Sequence, residues 1–376
     1  MAPRLRGIAL NLLLVALSVG IVLVGAEVFL RIFPRYLPPA ARLRLLWAAQ
    51  PDPSGVANPY TGYVYPASVQ QRINAGDLDF AYTTDEHGFR NRSPWPDSAD
   101  IVVIGDSEAF GWGVADDSTW SAQVARALPG SRIVNLALPG MAPKQYFRVY
   151  RQFGAPLHPK LVIFGLFPGN DLSDEREFDA WLDAGSPGNY ATWKFNHGSK
   201  PPLAERMMEH SYLFWALRET RRGLQQRMHS VPPMTFPDGS RIQFAPSFMA
   251  REAMLATPED PNFVQVMQAI DSTRALAQEQ GAAMLVIVFP TKEDVYFPLR
   301  GDSLPPLRAP LVRAVAERGI PYLDLTIPMQ EEARKQRRLF FEIDGHPDGA
   351  GYHVIAQAVL AHLREHAGDY HLSERQ

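Results

Sequence analysis

Hydrophobic and polar positions divide the chain into three textures. The first is an unbroken apolar run, GIALNLLLVALSVGIVLVGA over residues 7–26, with no charged residue. At about 1.5 Å per residue a helix of that length spans about 30 Å, the thickness of a bilayer's hydrocarbon core. This predicts a transmembrane helix, preceded by Arg4 and Arg6 and followed by Arg31, Arg35, Arg42 and Arg44. Val24-Gly25-Ala26 also suits signal peptidase, but the run is longer than a usual signal-peptide core, so the expectation is a retained anchor. On either reading the expectation is that the bulk of the chain is exported, to the periplasm or the cell exterior; a cytoplasmic domain on a membrane tail is the alternative. The second texture, residues 34–99, mixes Pro, Tyr and polar residues and reads as a juxtamembrane spacer and irregular extension.

The third texture alternates. Short apolar runs, IVVIG (101–105), RIVNLAL (132–138), KLVIFGLF (160–167), AAMLVIVF (282–289) and PYLDL (321–325), are bounded by Gly or Pro, as strands buried on both faces should be. Between them lie helical patterns, including DDSTWSAQVARAL with Asp or Ser as its cap, PKQYFRVYRQF, PNFVQVMQAIDSTRALAQEQ and RAPLVRAVAERG. GAGYHVIAQAVLAHLREHA predicts a final helix. Such alternation implies a three-layer α/β domain around a parallel sheet. Residues 171–262 interrupt it with no clear strand and one long helical pattern, LAERMMEHSYLFWALRETRRGLQQRM. Met207, Tyr212, Leu213, Phe214 and Trp215 of this insertion have two readings, a substrate-cleft lining or helix packing, and their helical spacing favours packing. The expected organisation is therefore an anchor (1–33), an extension (34–99), a first core half (100–170), a helical insertion or cap (171–262) and a second core half (263–376).

Charge narrows the function. Of 37 basic and 40 acidic residues, six Arg and one Glu fall in the first 44 positions, which leaves the remainder at 31 against 39. That acidic balance argues against a nucleic-acid binder. With no cysteine there is no disulfide, thiolate nucleophile or Cys-ligated zinc.

Candidate chemistry sits where the strands end. Gly-Asp-Ser occurs twice, at 105–107 and 301–303. Ser107 directly follows the first core strand, at the sheet edge where open α/β folds bind ligands. Ser303 stands in a proline-rich stretch and reads as a surface turn. After the second strand NLALPGMA offers the Gly140 N–H, after the third FPGNDLSD offers the Asn170 amide, and before the last helix FFEIDGHPDGAG offers Asp344 and His346. A serine nucleophile needs a base and oxyanion donors, and these loops bring both types to one edge.

GDSEAFGWGV, NLALPG, GND and DGHP, in that order, resemble the four blocks of the SGNH or GDSL hydrolase superfamily over residues about 100–170 and 282–366. The resemblance implies a flavodoxin-like parallel sheet and a serine ester hydrolase without cofactor or metal. It makes Ser107 the nucleophile, His346 the general base and Asp344 its orienting acid, with Ser107, Gly140 and Asn170 as the oxyanion hole. Two departures stand out. Glu108 replaces the leucine of the motif, which is read as a change at the cleft rim. Only one residue separates Asp344 from His346 where many members have two, so Glu342 or Asp324 are alternative acids, and a Ser-His dyad is a further alternative. The substrate class is an acyl ester, O-acetyl among the candidates, on a glycan or lipid. O-acyl transfer to a surface glycan through the same triad is one alternative, and a non-catalytic glycan-binding protein is another. No G-x-S-x-G elbow, P-loop or metalloprotease signature competes. His353, His362 and His366 read as surface residues of the last helix. Asp171 and Asp174 read as supports of the third-block loop, and Arg90 in TTDEHGFRN as structural.

Overall fold

The computed structural model describes residues 3–38, 41–42, 45, 55–75, 77–197, 208, 210–227, 231–244, 257–302 and 304–372. Met207 and Ser303 lie outside this set. The chain forms two compact units, residues 1–53 with 201–230 and residues 54–200 with 231–376.

In the larger unit five strands form the central sheet: β1 Ile101–Ile104, β2 Ile133–Asn135, β3 Leu161–Leu166, β4 Ala283–Val288 and β5 Tyr322–Asp324. Their spatial order is β5-β4-β3-β1-β2 and every pairing is parallel. This is the flavodoxin-like order. Apolar runs became strands for the expected reason: all four residues of β1 and all six of β3 are buried. The β1-to-β2 step runs opposite to the later ones, so right-handed crossovers place its helix on the other face of the sheet. Accordingly helix Trp120–Ala127 packs with the C-terminal helix Gly349–Glu365, while Pro143–Val149 packs with Pro261–Glu279. Thr119, not Asp or Ser, caps helix Trp120–Ala127, its hydroxyl accepting from the Ala122 N–H.

Two expectations are corrected. Part of the extension is regular: Val56–Asn58 pairs with Gly62–Val64, and Gln70–Ala75 with Leu78–Thr83, both antiparallel. The second strand of this second hairpin, Leu78–Thr83, alternates buried and open positions, with Leu78, Phe80 and Tyr82 inside. Residues 171–262 also hold a strand pair, Met234–Thr235 with Arg241–Ile242.

In the smaller unit the apolar helix runs over Pro3–Ile32, and a second helix over Tyr212–Arg227. Trp215 packs on Leu37, Ala41 and Leu45, with Tyr212 and Phe214 alongside, so these insertion aromatics form a core.

Candidate active site

The turn after β1 is built for close approach. A Cβ on Gly105 would meet the Ala109 Cβ at 2.5 Å, so only glycine lets the chain turn directly from strand into helix Ser107–Phe110. Asp106 caps that helix through the Glu108 N–H at 3.0 Å. Ser107 occupies the first helical position, where the N–H has no intrahelical acceptor.

The C-terminal loop reaches the same point. His346 Nε2 lies 2.8 Å from Ser107 Oγ, and His346 Nδ1 lies 2.6 Å from Asp344 Oδ1. The one-residue spacing works because Asp344 Oδ1 also accepts the His346 backbone N–H at 2.9 Å, an Asx turn that folds the carboxylate back onto the imidazole. The alternative acids are engaged elsewhere. Asp324 pairs with Arg308 at 2.7 Å, and the Glu342 carboxylate accepts from Gln243 at 3.0 Å.

Burial opposes the charge on His346, but the Asp344 and then the Glu108 carboxylates outweigh it and carry the imidazole up to about 9. Asp344 is held below its ordinary range: burial opposes this, and the His346 charge with its hydrogen bonds prevails. Glu108 is only 1% exposed, so it belongs under the site and not on a rim. Burial pushes its carboxyl up to about 8, and its Oε2 finds no hydrogen-bond partner among the described residues.

Gly140 and Asn170 lie on the loops after β2 and β3. Gly140 adopts φ +79°, and an added Cβ would meet only the Tyr63 hydroxyl at 4.0 Å. Backbone conformation, not crowding, therefore calls for glycine here. Asn170 Nδ2 donates to the buried Asp106 carboxylate at 3.2 Å, which leaves the second N–H of that amide to another acceptor. Asp171 accepts from the Phe167 N–H at 2.7 Å and the Tyr146 hydroxyl at 2.6 Å, and Asp174 pairs with Lys194 at 2.6 Å. Asp171 supports the third-block loop, while Asp174 ties its own helix to helix Tyr190–His197.

Several supporting residues carried no signal in the linear sequence. Lys292, 3% exposed, donates to the carbonyls of Phe341 at 2.8 Å and of Gln243 and Glu342 at 3.3 Å. Burial lowers its ammonium to about 8. Asp77 accepts the N–H groups of Ile343 at 2.7 Å and Asp344 at 3.3 Å. A cation and an anion from outside the Asp344–His346 loop thus hold it from its carbonyl and amide sides. Behind Ser107, Arg90 donates to the carbonyls of Gly111 at 2.7 Å and Val114 at 2.6 Å and pairs with Asp116. Asn91 bonds Asp85 at 2.8 Å and the Asn135 backbone at 2.8 and 3.0 Å, which gives TTDEHGFRN its structural role. On the last helix, His362 meets the Tyr370 hydroxyl, His366 meets Asp369 and His353 meets Gln123.

Residues 103–354, two thirds of the chain and a span that includes all five candidate site positions, match the model of the GDSL-like lipase/acylhydrolase family. The chain belongs to this family. Among solved structures, the GDSL-like chain is similar to TesA, at 16% identity over 70% of this chain and 98% of that one, with a TM-score of 0.38. It is similar also to a catalytic mutant of Axe2, an acetylxylan esterase from Geobacillus stearothermophilus, at 11% identity over 72% and 95% of the two chains and a TM-score of 0.37. A carbohydrate esterase family 2 enzyme with a carbohydrate-binding domain, from Corynascus thermopiles (Myceliophthora fergusii), matches at 14% identity over 79% and 73%, with a TM-score of 0.37. No curated protein matches significantly.

Proposed function

We propose that this GDSL-family chain is an exported, membrane-anchored serine esterase that cleaves acyl esters through an acyl-enzyme at Ser107. The observation that carries the reading is the continuous hydrogen-bonded chain from Asp344 through His346 to Ser107, at 2.6 and 2.8 Å. Ser107 Oγ attacks the ester carbonyl while His346 Nε2 takes its proton. Asp344 keeps the other ring nitrogen protonated and stabilises the imidazolium that forms. Negative charge on the carbonyl oxygen is met by the N–H groups of Ser107 and Gly140 and the free N–H of Asn170. Collapse expels the alcohol, which receives its proton from His346. Water, deprotonated in turn by His346, then releases the acid and restores Ser107.

The anchor reading rests on the apolar helix: Leu10–Ile32 has a mean hydropathy of 2.5 and none of it is buried in the molecule. On this reading the larger unit works outside the cytoplasm. Mass spectrometry after brief mixing of the purified full chain with p-nitrophenyl acetate tests the chemistry. The expected result is one acetyl group on the peptide containing Ser107, decaying in water with release of acetate. Nitrophenol release with no acyl group trapped at Ser107, even on acid quench, would contradict the acyl-enzyme.

A further inference from the structure

The smaller unit carries a surface that the chemistry does not use. The charge-free run ends at Ala26, and the next residue, Glu27, is the first acid of the chain. Glu27 accepts hydrogen bonds from the Ser211 hydroxyl at 3.0 Å and the N–H groups of Tyr212 at 3.1 Å and Leu213 at 2.8 Å. It therefore caps helix Tyr212–Arg227 from outside, neutralising N–H groups that the helix start leaves unbonded. Arg31 completes the clasp, donating to the His210 carbonyl at 2.8 Å and lying 5.0 Å from the Tyr212 ring centre. A helix end is thus tied to the point where the apolar run gives way to charge.

The two faces of helix Tyr212–Arg227 differ. Trp215 and Glu219 are buried, Trp215 against Leu37, Ala41 and Leu45. Turned away from them, Leu217 is 62% and Leu224 58% exposed. With the half-buried Leu213 these leucines stand at i, i+4 and i+11, within an arc of about 40° on a 3.6-residue helix. Arg218 lies 4.8 Å from the Trp215 ring centre and Arg222 lies 4.0 Å from the Glu219 carboxylate, both toward the buried face, while the exposed Arg221 falls about 40° from Leu217 around the helix. Exposed leucines in one stripe, flanked by the exposed Arg221, are the pattern of a helix that lies in a membrane interface.

We propose that helix Tyr212–Arg227 is a second membrane contact, seating Leu213, Leu217 and Leu224 at the headgroup–acyl boundary of a bilayer containing anionic phospholipid. This rests on the reading of Leu10–Ile32 as a membrane anchor. Glu27 and Arg31 fix where the helix leaves the span, the leucines provide the apolar face and Arg221 beside them meets the phosphate groups. One apolar helix alone would leave the exported chain free to rotate about its anchor. A second contact restricts that rotation.

The chain has no cysteine, so single spin labels are unique. Leu217→Cys, Leu224→Cys, Arg222→Cys and Val15→Cys variants of the full chain, reconstituted in phosphatidylcholine vesicles containing phosphatidylglycerol, are compared by collision with oxygen and with a water-soluble nickel chelate. At 217 and 224 oxygen should dominate, as it does at 15, while at 222 the chelate dominates. If 217 and 224 behave like 222, or are shielded from both reagents by protein, the proposal is overturned. A label at 15 that meets the chelate instead refutes the anchor itself, which separates the two failures.

Discussion

Replacing Glu108 by Gln should stabilise the protein, and more so as pH rises. The carboxyl is 1% exposed, and burial carries it from an ordinary 4.5 to about 8. An acid whose value is raised in the folded state costs nothing below its unfolded value; the cost accumulates as pH rises and is complete above the folded value. Here the window runs from 4.5 to about 8. Each pKa unit is worth about 1.4 kcal/mol, so between pH 5 and pH 9 the wild type should lose about 4 kcal/mol that the Gln variant retains. In a unit of this size that corresponds to about 10 °C in Tm. Any cost of burying the amide is the same at both pH values, so the difference between them reports the buried charge together with its attraction to the His346 imidazolium. Thermal unfolding of the full chain in detergent, followed by circular dichroism at pH 5 and 9, is the assay. A Tm difference between wild type and Glu108→Gln that is equal at the two pH values would refute the reasoning.

Because His346 serves as a base only when neutral and is held up to about 9, kcat/KM of the wild type should rise with pH to about 9. In Glu108→Gln the rise should come at lower pH, since one of the carboxylates that hold the imidazolium is gone; stopped-flow ester hydrolysis across a pH series reads both. Asn170→Ala removes one oxyanion donor and should lower kcat by about 10²- to 10³-fold with little change in KM, measured by steady-state kinetics. Lys292→Met frees the Phe341 and Glu342 carbonyls and lets the Asp344–His346 loop drift; kcat should fall by about 10- to 100-fold, with part of the loss recovered by Lys292→Arg.

The strands and the candidate site are legible in the chain for one physical reason. A strand buried on both faces must be apolar throughout, and Ile101–Ile104 and Leu161–Leu166 are. A parallel sheet then brings the ends of those runs together, which is why Ser107, Gly140, Asn170 and His346 stood out. The hairpins of residues 56–83 escaped notice because their half-exposed strands mix polar and apolar residues within a Pro- and Tyr-rich text. LDFAYT, at 78–83, does alternate with period two, and that was the available signal. For Glu108, a position beside Ser107 says nothing about which way the side chain packs. Lys292 and Asp77 meet the Asp344 loop only through the fold, across sequence separations of 49 and 266 residues. No local pattern records such a convergence.

The central claim is that Ser107 is an activated nucleophile. Labelling of the full chain with a fluorescent fluorophosphonate tests it most directly, with Ser107→Ala and Ser303→Ala alongside and circular dichroism to verify folding. The account predicts that wild type and Ser303→Ala label alike and that Ser107→Ala does not label at all. A folded wild type that fails to label, or a Ser107→Ala variant that still labels, would contradict it.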